Sequence, residues 1–510
     1  MRLSESEILK VPFPEIPLKR LLLMLASAFM LLLAVMVART ISVPAPAPAA
    51  AAPTGAAVTV DSALAAQRLS GAVKFATVSM ASGAPIDTAA FLGFHDFLER
   101  AFPLVHRLLR REKVAGLSLL YTWIGTDTKA APVVIMGHMD VVPVPESNLK
   151  DWAHGPFSGD VADGFVWGRG TLDDKTTVLA SLEAVEGLLA QGYTPPRTVY
   201  LTFGHDEEVG GLFGARLIVD SLVARGVKPA MVIDEGGIMT SGLVPGVAGR
   251  SAVVGIAEKG YVSLRLRATA TGGHSSMPGA RTAVGALSRA IATLERNPFP
   301  YTIDGPTRGM IDAMAPYVPF VQRLAMANLW ITESVVIKSL KATPAGAAMM
   351  HTTTSPTMLS AGIKDNVLPP DATAVVNFRI RPGETVTTVT GRVRSLINDT
   401  LISVEPTDSA RVDPSPVSDT QSAAYRLIES TVRAMAPGES MPVLPYLVVG
   451  GTDAKYWGPH SANVYRFLPI PLGDGDFTRI HGLNERVSVT DYASAVGFFA
   501  RLLRGLDQLK

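Results

Sequence analysis

Five short motifs combine histidine with aspartate or glutamate in a way that suits a metal centre. They are GHMDVVP, WGRGTLDDK, HDEEVGG, VIDEGG and HGLNERV, which begin at residues 137, 167, 205, 232 and 481. The chain contains no cysteine, so any metal must be held by imidazole and carboxylate groups, a ligand set that suits zinc. The predicted ligands, sufficient for two ions, are His138, Asp173, Glu208, Glu235 and His481.

Three further acidic residues stand beside these predicted ligands. Asp140, two positions after His138, is expected to accept the second ring N–H of that histidine. Glu207 and Glu208 are adjacent, and because neighbouring carboxylates repel each other, the pair indicates a nearby cation. Asp234 adjoins Glu235, and the sequence leaves open which of the two binds metal.

The elements that must position these motifs follow an alternating pattern. Short apolar runs at 133–136, 198–203 and 231–233 end at three of the motifs, and a helical pattern occupies about 175–189. Strands separated by helices predict a mixed, mainly parallel sheet flanked by helices, an α/β fold. Ligands collect beyond the carboxyl ends of such strands, which is where the predicted ligands fall.

The pattern of apolar and polar residues changes near residue 260. Segments at 261–270 and 372–381 alternate apolar and polar residues, which predicts a second, half-exposed sheet. A Pro- and Met-rich stretch at about 297–350 separates them. We therefore predict a catalytic domain at 58–259 and 396–510, with a smaller inserted α+β lid or dimerisation domain at 260–395.

The N-terminal region predicts contact with a membrane. After a tail at 1–20, the segment 21–41 contains an apolar run that as a helix would span about 27 Å, close to a bilayer core. It is interpreted as a retained signal anchor or a cleaved signal peptide, and the basic residues before it favour an inside N-terminus. The Pro/Ala-rich stretch 42–57 predicts an extended linker. The catalytic domain is expected on the non-cytoplasmic side, periplasmic or lumenal, and secreted if the segment is cleaved.

The charge composition excludes one class of partner. The chain has 46 basic and 45 acidic residues and carries no basic stripe, so no nucleic-acid partner is predicted.

The motifs GHMDVVP, GRGTLDDK, DEEVGG, IDEGG, TGGHSS and HGLNER, in this order, resemble the zinc metallopeptidase family of aminoacylase, carboxypeptidase S and acetylornithine deacetylase. The resemblance runs from about residue 70 to the C-terminus and is strongest to the carboxypeptidase S and N-fatty-acyl amino acid hydrolase branch. It implies that Asp173 bridges two zinc ions, with His138 and Glu235 on one and Glu208 and His481 on the other. Cobalt and manganese are alternative metals.

The resemblance also implies roles for residues outside the ligand set. It makes Glu207 the general base and implies a cis peptide bond between Asp173 and Asp174. It implies that His274, in TGGHSS, donates a hydrogen bond to the developing oxyanion. His274 would reach the site across a dimer or after domain closure. It places four further residues at the substrate, namely Asn366, Arg379, Thr452 and Asp453.

These expectations predict an enzyme that cleaves the amide bond of a short peptide or an N-acyl amino acid with a free carboxylate. In this mechanism Glu207 takes a proton from a water shared by the metals and passes it to the leaving nitrogen. Two alternatives are a narrow biosynthetic N-deacylase and a non-catalytic, membrane-tethered binding module of the same fold. Both a monomer and a homodimer are compatible with the sequence.

Overall fold

The computed structural model describes residues 17–48, 58–407 and 411–509. Most of the predicted tail at 1–20 and the part of the predicted linker beyond residue 48 lie outside the described residues. The helices in the described part are α1 Leu18–Ile41, α2 Ser62–Val73, α3 Thr88–Ala101, α4 Pro103–Leu108, α5 Lys175–Ala190, α6 Ala215–Ala224, α7 Ala283–Arg296, α8 Gly305–Met314, α9 Phe320–Ala327, α10 Leu329–Leu340, α11 Pro344–Met350, α12 Val386–Ile397, α13 Ala423–Arg433 and α14 Val489–Arg504.

The strands in the described part of the chain form four sheets. In chain order they are β1 Arg110–Val114, β2 Ser118–Trp123, β3 Val133–His138, β4 Val161–Ala162, β5 Phe165–Trp167, β6 Val199–Gly204, β7 Met231–Ser241, β8 Arg250–Glu258, β9 Gly260–Thr269, β10 Gly273–His274, β11 Thr353–Ala361, β12 Val367–Leu368, β13 Asp371–Ile380, β14 Ile402–Pro406, β15 Val443–Val448, β16 Val464–Leu472 and β17 Arg486–Ser488.

The central sheet has eight strands in the order β1-β2-β6-β3-β7-β16-β8-β15. Strand β3 runs parallel to β6 and β7, β7 parallel to β16, and β8 parallel to β15. Alternate residues of β3 enter different cores, Val133 and Ile135 packing with α5 and α14 and Val134 and Met136 packing with α6. Both faces are therefore covered by helices, which confirms the predicted α/β class.

Two of the predicted strands match the structure closely, and the third is longer than predicted. Strand β7 continues through Asp234 and Glu235 to Ser241, so both acids lie within the strand instead of following it. The reason is the glycine pair after them. A Cβ on Gly237 would lie 2.4 Å from the carbonyl oxygens of Arg466 and Val253, so only glycine lets the strand continue between its neighbours.

A second, antiparallel sheet has the order β11-β13-β9-β14 and its own core. Inward residues such as Val262, Leu264 and Phe378 pack against α7 and α12. Strand β14 pairs with β9, so this sheet extends past residue 395, the predicted end of the inserted domain.

Helices α8 to α11, which follow α7 in the chain, do not pack with this second core. Met310, Met314, Val318 and Met349 belong to the core of the large sheet, and α8 lies against β15. Helices α8 and α11 are thus part of the predicted insert by sequence but part of the large unit by packing, because Met310, Met314 and Met349 belong to its core. Leu329 and Val336 of α10 pack in a separate small core with Ile311 and Met350.

Candidate metal centre and active site

Two groups of side chains offer ligand atoms to a common cation. His138, Asp173 and Glu235 form one group, and Asp173, Glu208 and His481 form the other, with ligand atoms in each group within 4.8 Å of one another. Asp173 belongs to both. Its Oδ1 lies 2.9 Å from His138 Nε2 and its Oδ2 lies 3.0 Å from His481 Nε2. The structure therefore brings all five predicted ligands together.

Asp173 is presented by a tight loop before α5. Glu485 Oε1 accepts backbone N–H bonds from Gly170 (3.0 Å), Leu172 (2.7 Å) and Asp173 (3.2 Å). Its Oε2 lies 2.6 Å from the Arg169 guanidinium, and all of this is buried. One carboxylate thus fixes the loop, because it satisfies three amides that would otherwise be orphaned at a helix start. The following peptide bond, Asp173–Asp174, is cis, as the resemblance implied.

Glu485 ties that loop to the segment that carries His481. Arg169 also donates to the Gly482 carbonyl at 3.0 Å, and His481 itself adopts a left-handed backbone conformation with φ 59°. A left-handed histidine is uncommon and persists only where surrounding contacts hold it. These buried contacts provide that support.

Asp140 positions both sides of the cluster. His138 Nδ1 lies 3.0 Å from the Asp140 carbonyl oxygen and 3.4 Å from its Oδ1. The two carboxylate oxygens of Asp140 also accept the backbone N–H groups of Glu207 and Glu208, each at 3.1 Å. Asp140 therefore orients the histidine ring and fixes the turn that presents the paired glutamates.

Asp234 and Glu235 differ in what their carboxylates contact. Asp234 Oδ1 accepts the Glu235 N–H at 3.0 Å, and its Oδ2 accepts the Ala454 N–H at 2.7 Å. Both oxygens of Asp234 are therefore engaged by backbone, whereas Glu235 offers an oxygen to the His138 group.

The electrostatics of the cluster favour a bound cation. Burial raises the pKa of Glu235 well above its usual range, and repulsion from Asp173 and Asp174 adds to this. Burial also raises the pKa of Glu208, although its hydrogen bond with His481 opposes the rise. Hydrogen bonds to Asp173 and Glu208 raise the pKa of His481 to about 10. So many buried acids in one place repel one another, and divalent cations would offset that repulsion.

The ligand atoms also have free capacity for a metal. Glu208 Oε1 is buried and has no hydrogen-bond partner among the described residues, while Oε2 lies 3.1 Å from His481 Nε2. Imidazole nitrogens and carboxylate oxygens in two groups that share one aspartate fit a pair of zinc ions.

A largely apolar cavity of about 500 Å³ opens from one side of the cluster. Asp173, Glu207, Glu208, Glu235 and His481 line its inner end. The rest of its wall is mainly apolar, with Leu243, Val244, Ile238, Val253, Met310, Met349, Tyr446, Val448, Leu468, Phe477 and Ile480. Its size and lining are those of a small-molecule site.

A second cavity of about 450 Å³ shares Glu207, Glu208 and His481 with the first and has both cations and acids in its wall. Lys259, Arg379 and Lys455 face it together with Glu207 and His481. The Arg379 guanidinium lies over the Tyr261 ring at 4.8 Å, and burial lowers the pKa of Arg379. Glu207 is one of five residues that line both cavities, together with Glu208, Gly450, Gly451 and His481.

Two predicted substrate residues lie next to each other but in different surroundings. Thr452 lines the apolar cavity and donates both its N–H and its hydroxyl to Glu258 Oε2, each at 2.9 Å. Asp453 is buried below that loop, and neither described cavity has it in its wall. Its carboxylate sits over Gly211, where a Cβ would lie 2.0 Å from Oδ1, so the turn directs it inward.

His274 is exposed on a separate two-stranded ribbon, β10-β12, and the exposed Asn366 lies in the turn just before its second strand. The Ser275 N–H donates to the Asn366 carbonyl at 3.2 Å, and His274 Nδ1 accepts from the Ser276 N–H at 3.1 Å. The residues that line the two cavities include neither of them. The structure therefore brings Arg379 to the cluster but leaves His274 and Asn366 outside it.

With this geometry established, the comparisons with known proteins decide the family. A model described as peptidase family M20/M25/M40 matches residues 134–505. The chain belongs to this family. Probable carboxypeptidase S-like 2 of Dictyostelium discoideum is 37% identical over 447 residues, which cover 87% of this chain and 85% of the relative. The N-fatty-acyl-amino acid synthase/hydrolase PM20D1 of Homo sapiens is 36% identical over 446 residues, 86% of this chain and 87% of the relative.

Solved structures show the same fold at low sequence identity. The M20 family metallo-carboxypeptidase Sso-CP2 of Sulfolobus solfataricus has a TM-score of 0.63 at 18% identity, covering 88% of this chain and 99% of that one. Human carnosine dipeptidase 1 has a TM-score of 0.58 at 17% identity, covering 88% and 96%. The predicted family branch is confirmed, and this M20 member is a metallopeptidase-type hydrolase of a metal-dependent family that usually uses zinc.

Three residues that shape the M20 site were not singled out from the sequence. Glu485 lies in the motif HGLNERV and Arg169 in WGRGTLDDK. Their opposite charges in two motifs that were predicted to converge are the signal that could have indicated an ion pair. Lys259 follows strand β8 at the second cavity and carries no motif signal of its own.

Proposed function

We propose that this chain hydrolyses the amide bond of N-acyl amino acids that have a long, apolar acyl group and a free carboxylate. The observation that supports this most strongly is that the metal cluster borders both a largely apolar cavity and a second cavity that contains Lys259, Arg379 and Lys455. An acyl chain fits the first by hydrophobic burial, and a carboxylate fits the second by charge.

Two zinc ions are proposed at the cluster, with cobalt or manganese as alternatives. His138 and Glu235 would hold one, Glu208 and His481 the other, and Asp173 both. When bound, such ions lower the pKa of water and polarise the scissile carbonyl.

Glu207 is proposed as the general base. Burial raises the pKa of its carboxyl well above the usual range, so that it holds a proton more readily than an exposed glutamate. It would accept the proton of the attacking water and deliver it to the leaving nitrogen. This role is supported by its position in the walls of both cavities, which would bring it near a bond that joins an acyl part in one to an amino acid part in the other.

Arg379 and Lys259 are proposed to bind the substrate carboxylate. Arg379 presents a planar guanidinium suited to bidentate carboxylate binding. Lys259 donates to the backbone carbonyls of Ala348 and His351 at 2.9 and 2.8 Å, which fixes its ammonium at the cavity. Thr452 is proposed to contact substrate at the wall of the apolar cavity. The buried Asp453 is proposed to support the loop that carries Thr452.

His274 and Asn366 are proposed to complete the site after closure of the smaller sheet or from a second copy of the chain. Both are exposed, and Asn366 directly precedes the strand that pairs with His274, so a single movement would carry them together. His274 would then donate to the developing oxyanion.

Helix α1 is proposed to anchor the enzyme in a membrane, with the catalytic unit on the non-cytoplasmic side. It has 24 residues and is the one helix in the described part of the chain that is long and apolar enough to span a bilayer. Small peptides are a second candidate substrate, because they share the free carboxylate that the second cavity would bind.

A hydrolysis series tests the substrate. The full chain in detergent is given N-acyl phenylalanines with acetyl, octanoyl and oleoyl groups and a matched dipeptide, with and without chelator. We expect kcat/KM to rise with acyl length and all turnover to stop after chelation. Preference for the acetyl compound or the dipeptide would contradict the acyl assignment, and turnover that survives complete metal removal would contradict the metal assignment.

A further inference from the structure

Two consecutive helices, α9 and α10, expose large apolar side chains. The exposed fractions are 51% for Phe320, 75% for Val321, 56% for Trp330, 46% for Ile331 and 61% for Val335. Buried residues of the same segment, such as Leu329 and Val336, face the protein instead. Apolar surface of this kind marks an interaction site, because exposing it to water is costly.

These helices contact the C-terminal end of α1. Asn328, the residue between α9 and α10, is fully buried and donates its amide to the Met36 carbonyl at 3.1 Å and to the Thr40 hydroxyl at 3.4 Å. The Arg39 guanidinium donates to the Ala327 carbonyl at 3.2 Å. The apolar segment and the membrane helix therefore form one packed structure.

The contact also indicates how far the segment reaches along α1. Leu32, Met36 and Thr40, spaced four residues apart, are less exposed than most of the helix and form one face. That face spans about 12 Å along the helix axis. A body packed along this length would overlap a hydrocarbon core of about 30 Å rather than stand above it.

We propose that α9 and α10 are embedded in the leaflet of a phospholipid bilayer that the C-terminal end of α1 crosses. The acyl chains of the lipids would cover Phe320, Val321, Ile331 and Val335. Trp330 would lie near the headgroups, where tryptophan is enriched, and the exposed Lys338 would approach the phosphates. The catalytic unit is thus held against the membrane by α1 and by these two helices.

The embedding of α9 and α10 also defines a route of substrate entry, and this step rests on the proposed function. Helices α8 and α11 flank the embedded pair in the chain, and their residues Met310, Gly346 and Met349 line the apolar cavity. One helical segment therefore contributes both the membrane-facing surface and a wall of the acyl site. A fatty-acyl substrate dissolved in the bilayer would enter along this segment.

Tryptophan fluorescence tests the embedding without using activity. Of the five tryptophans, Trp330 is 56% exposed, whereas Trp123, Trp152, Trp167 and Trp457 are at most 8% exposed. The full chain is reconstituted into phosphatidylcholine vesicles with brominated or ordinary acyl chains. We expect the brominated lipid to quench part of the emission in the wild-type chain, and this loss to disappear in the Trp330→Phe variant.

Two other quenching results would overturn the embedding of α9 and α10. If aqueous iodide quenches Trp330 while brominated lipid does not, the segment is exposed to water. If neither agent quenches it and cross-linking through α10 yields dimers, a second copy covers the surface. A failed hydrolysis series with intact lipid quenching would overturn only the substrate assignment, so the two proposals fail separately.

Discussion

At the scale of single residues, the acids of the site differ in their partners more than in their type. Asp140 and Asp234 each accept backbone N–H groups with both carboxylate oxygens. Glu485 accepts three backbone N–H groups and pairs with a guanidinium. Glu235 offers an oxygen to a ligand group, and Glu207 faces both cavities. Local contacts therefore separate acids that hold the structure from acids that are free to bind metal or move protons.

This difference predicts that Glu207→Gln keeps its metal and loses turnover. The amide is the same size as the carboxyl but cannot accept the proton, and losing a general base lowers kcat by about 10²–10⁴-fold. Metal content and kcat are measured together, with Glu208→Gln as the matched control, which should lose metal. A Glu207→Gln enzyme with near-normal kcat would remove this residue from the mechanism.

A second residue-scale prediction concerns pH. Burial lowers the pKa of Lys259 to about 7, and the nearby Arg379 adds to this. Lys259 is therefore mostly charged below that pH and mostly neutral above it, so carboxylate binding should weaken as pH rises. We expect the Kd of N-lauroyl glycine, measured on Glu207→Gln, to rise several-fold from about pH 6 to about pH 8.

The control for this prediction is Lys259→Arg in the same background. Arginine stays charged throughout this range, so its Kd should change little with pH. An equal rise in both proteins would mean that another group titrates.

At the scale of elements, the site depends on two loops held together by buried charge. The loop before α5 carries Asp173, the loop before β17 carries His481, and the pair Arg169–Glu485 joins them at 2.6 Å. Strand β5, which precedes the first loop, pairs with β17, which follows the second, and the buried hydrogen bonds of Arg169 and Glu485 continue this contact into the loops themselves.

Glu485→Gln should therefore weaken metal binding. Changes to groups that support metal ligands typically cost 10–100-fold in metal affinity or activity, and we expect a loss of this size in a chelator competition. Glu186→Gln is the matched control, because Glu186 also accepts two backbone N–H groups, from Leu104 and Val105, but away from the site. Equal loss of metal affinity in both variants would contradict a specific role for Glu485.

A further prediction concerns the apolar cavity and the helices that wall it. Met349 on α11 is buried and lines this cavity, so Met349→Trp should fill the space that a long acyl chain needs. We expect kcat/KM for the oleoyl substrate to fall at least tenfold (about 1.4 kcal/mol) relative to the acetyl substrate. Met349→Leu, which nearly keeps the volume, should leave this ratio unchanged. A ratio unaffected by tryptophan would place the acyl chain elsewhere.

At the scale of the whole molecule, strand and helix periodicity predicted the central sheet, because β3, β6 and α5 have clear apolar patterns. It missed the full length of β7, since continuation through Gly236 and Gly237 depends on close neighbours in other strands. It also could not show that α8 packs on the large sheet, because periodicity reports which face is apolar and not which partner covers it.

The candidate site shows the same limit. The five ligand types could be predicted because each follows a strand end or lies in a motif. Contacts between distant segments engage Asp234, leave Glu235 beside His138 and Asp173, bury Asp453 and let Glu485 support the Asp173 loop. Such contacts leave no local pattern in a single sequence.

The most direct test of the whole arrangement is anomalous X-ray scattering at the zinc edge from crystals of the zinc-loaded protein. We predict two peaks, one among His138, Asp173 and Glu235 and one among Asp173, Glu208 and His481, with Asp173 shared. A single peak, or zinc bound away from Asp173, would contradict the dinuclear centre on which the proposed chemistry depends.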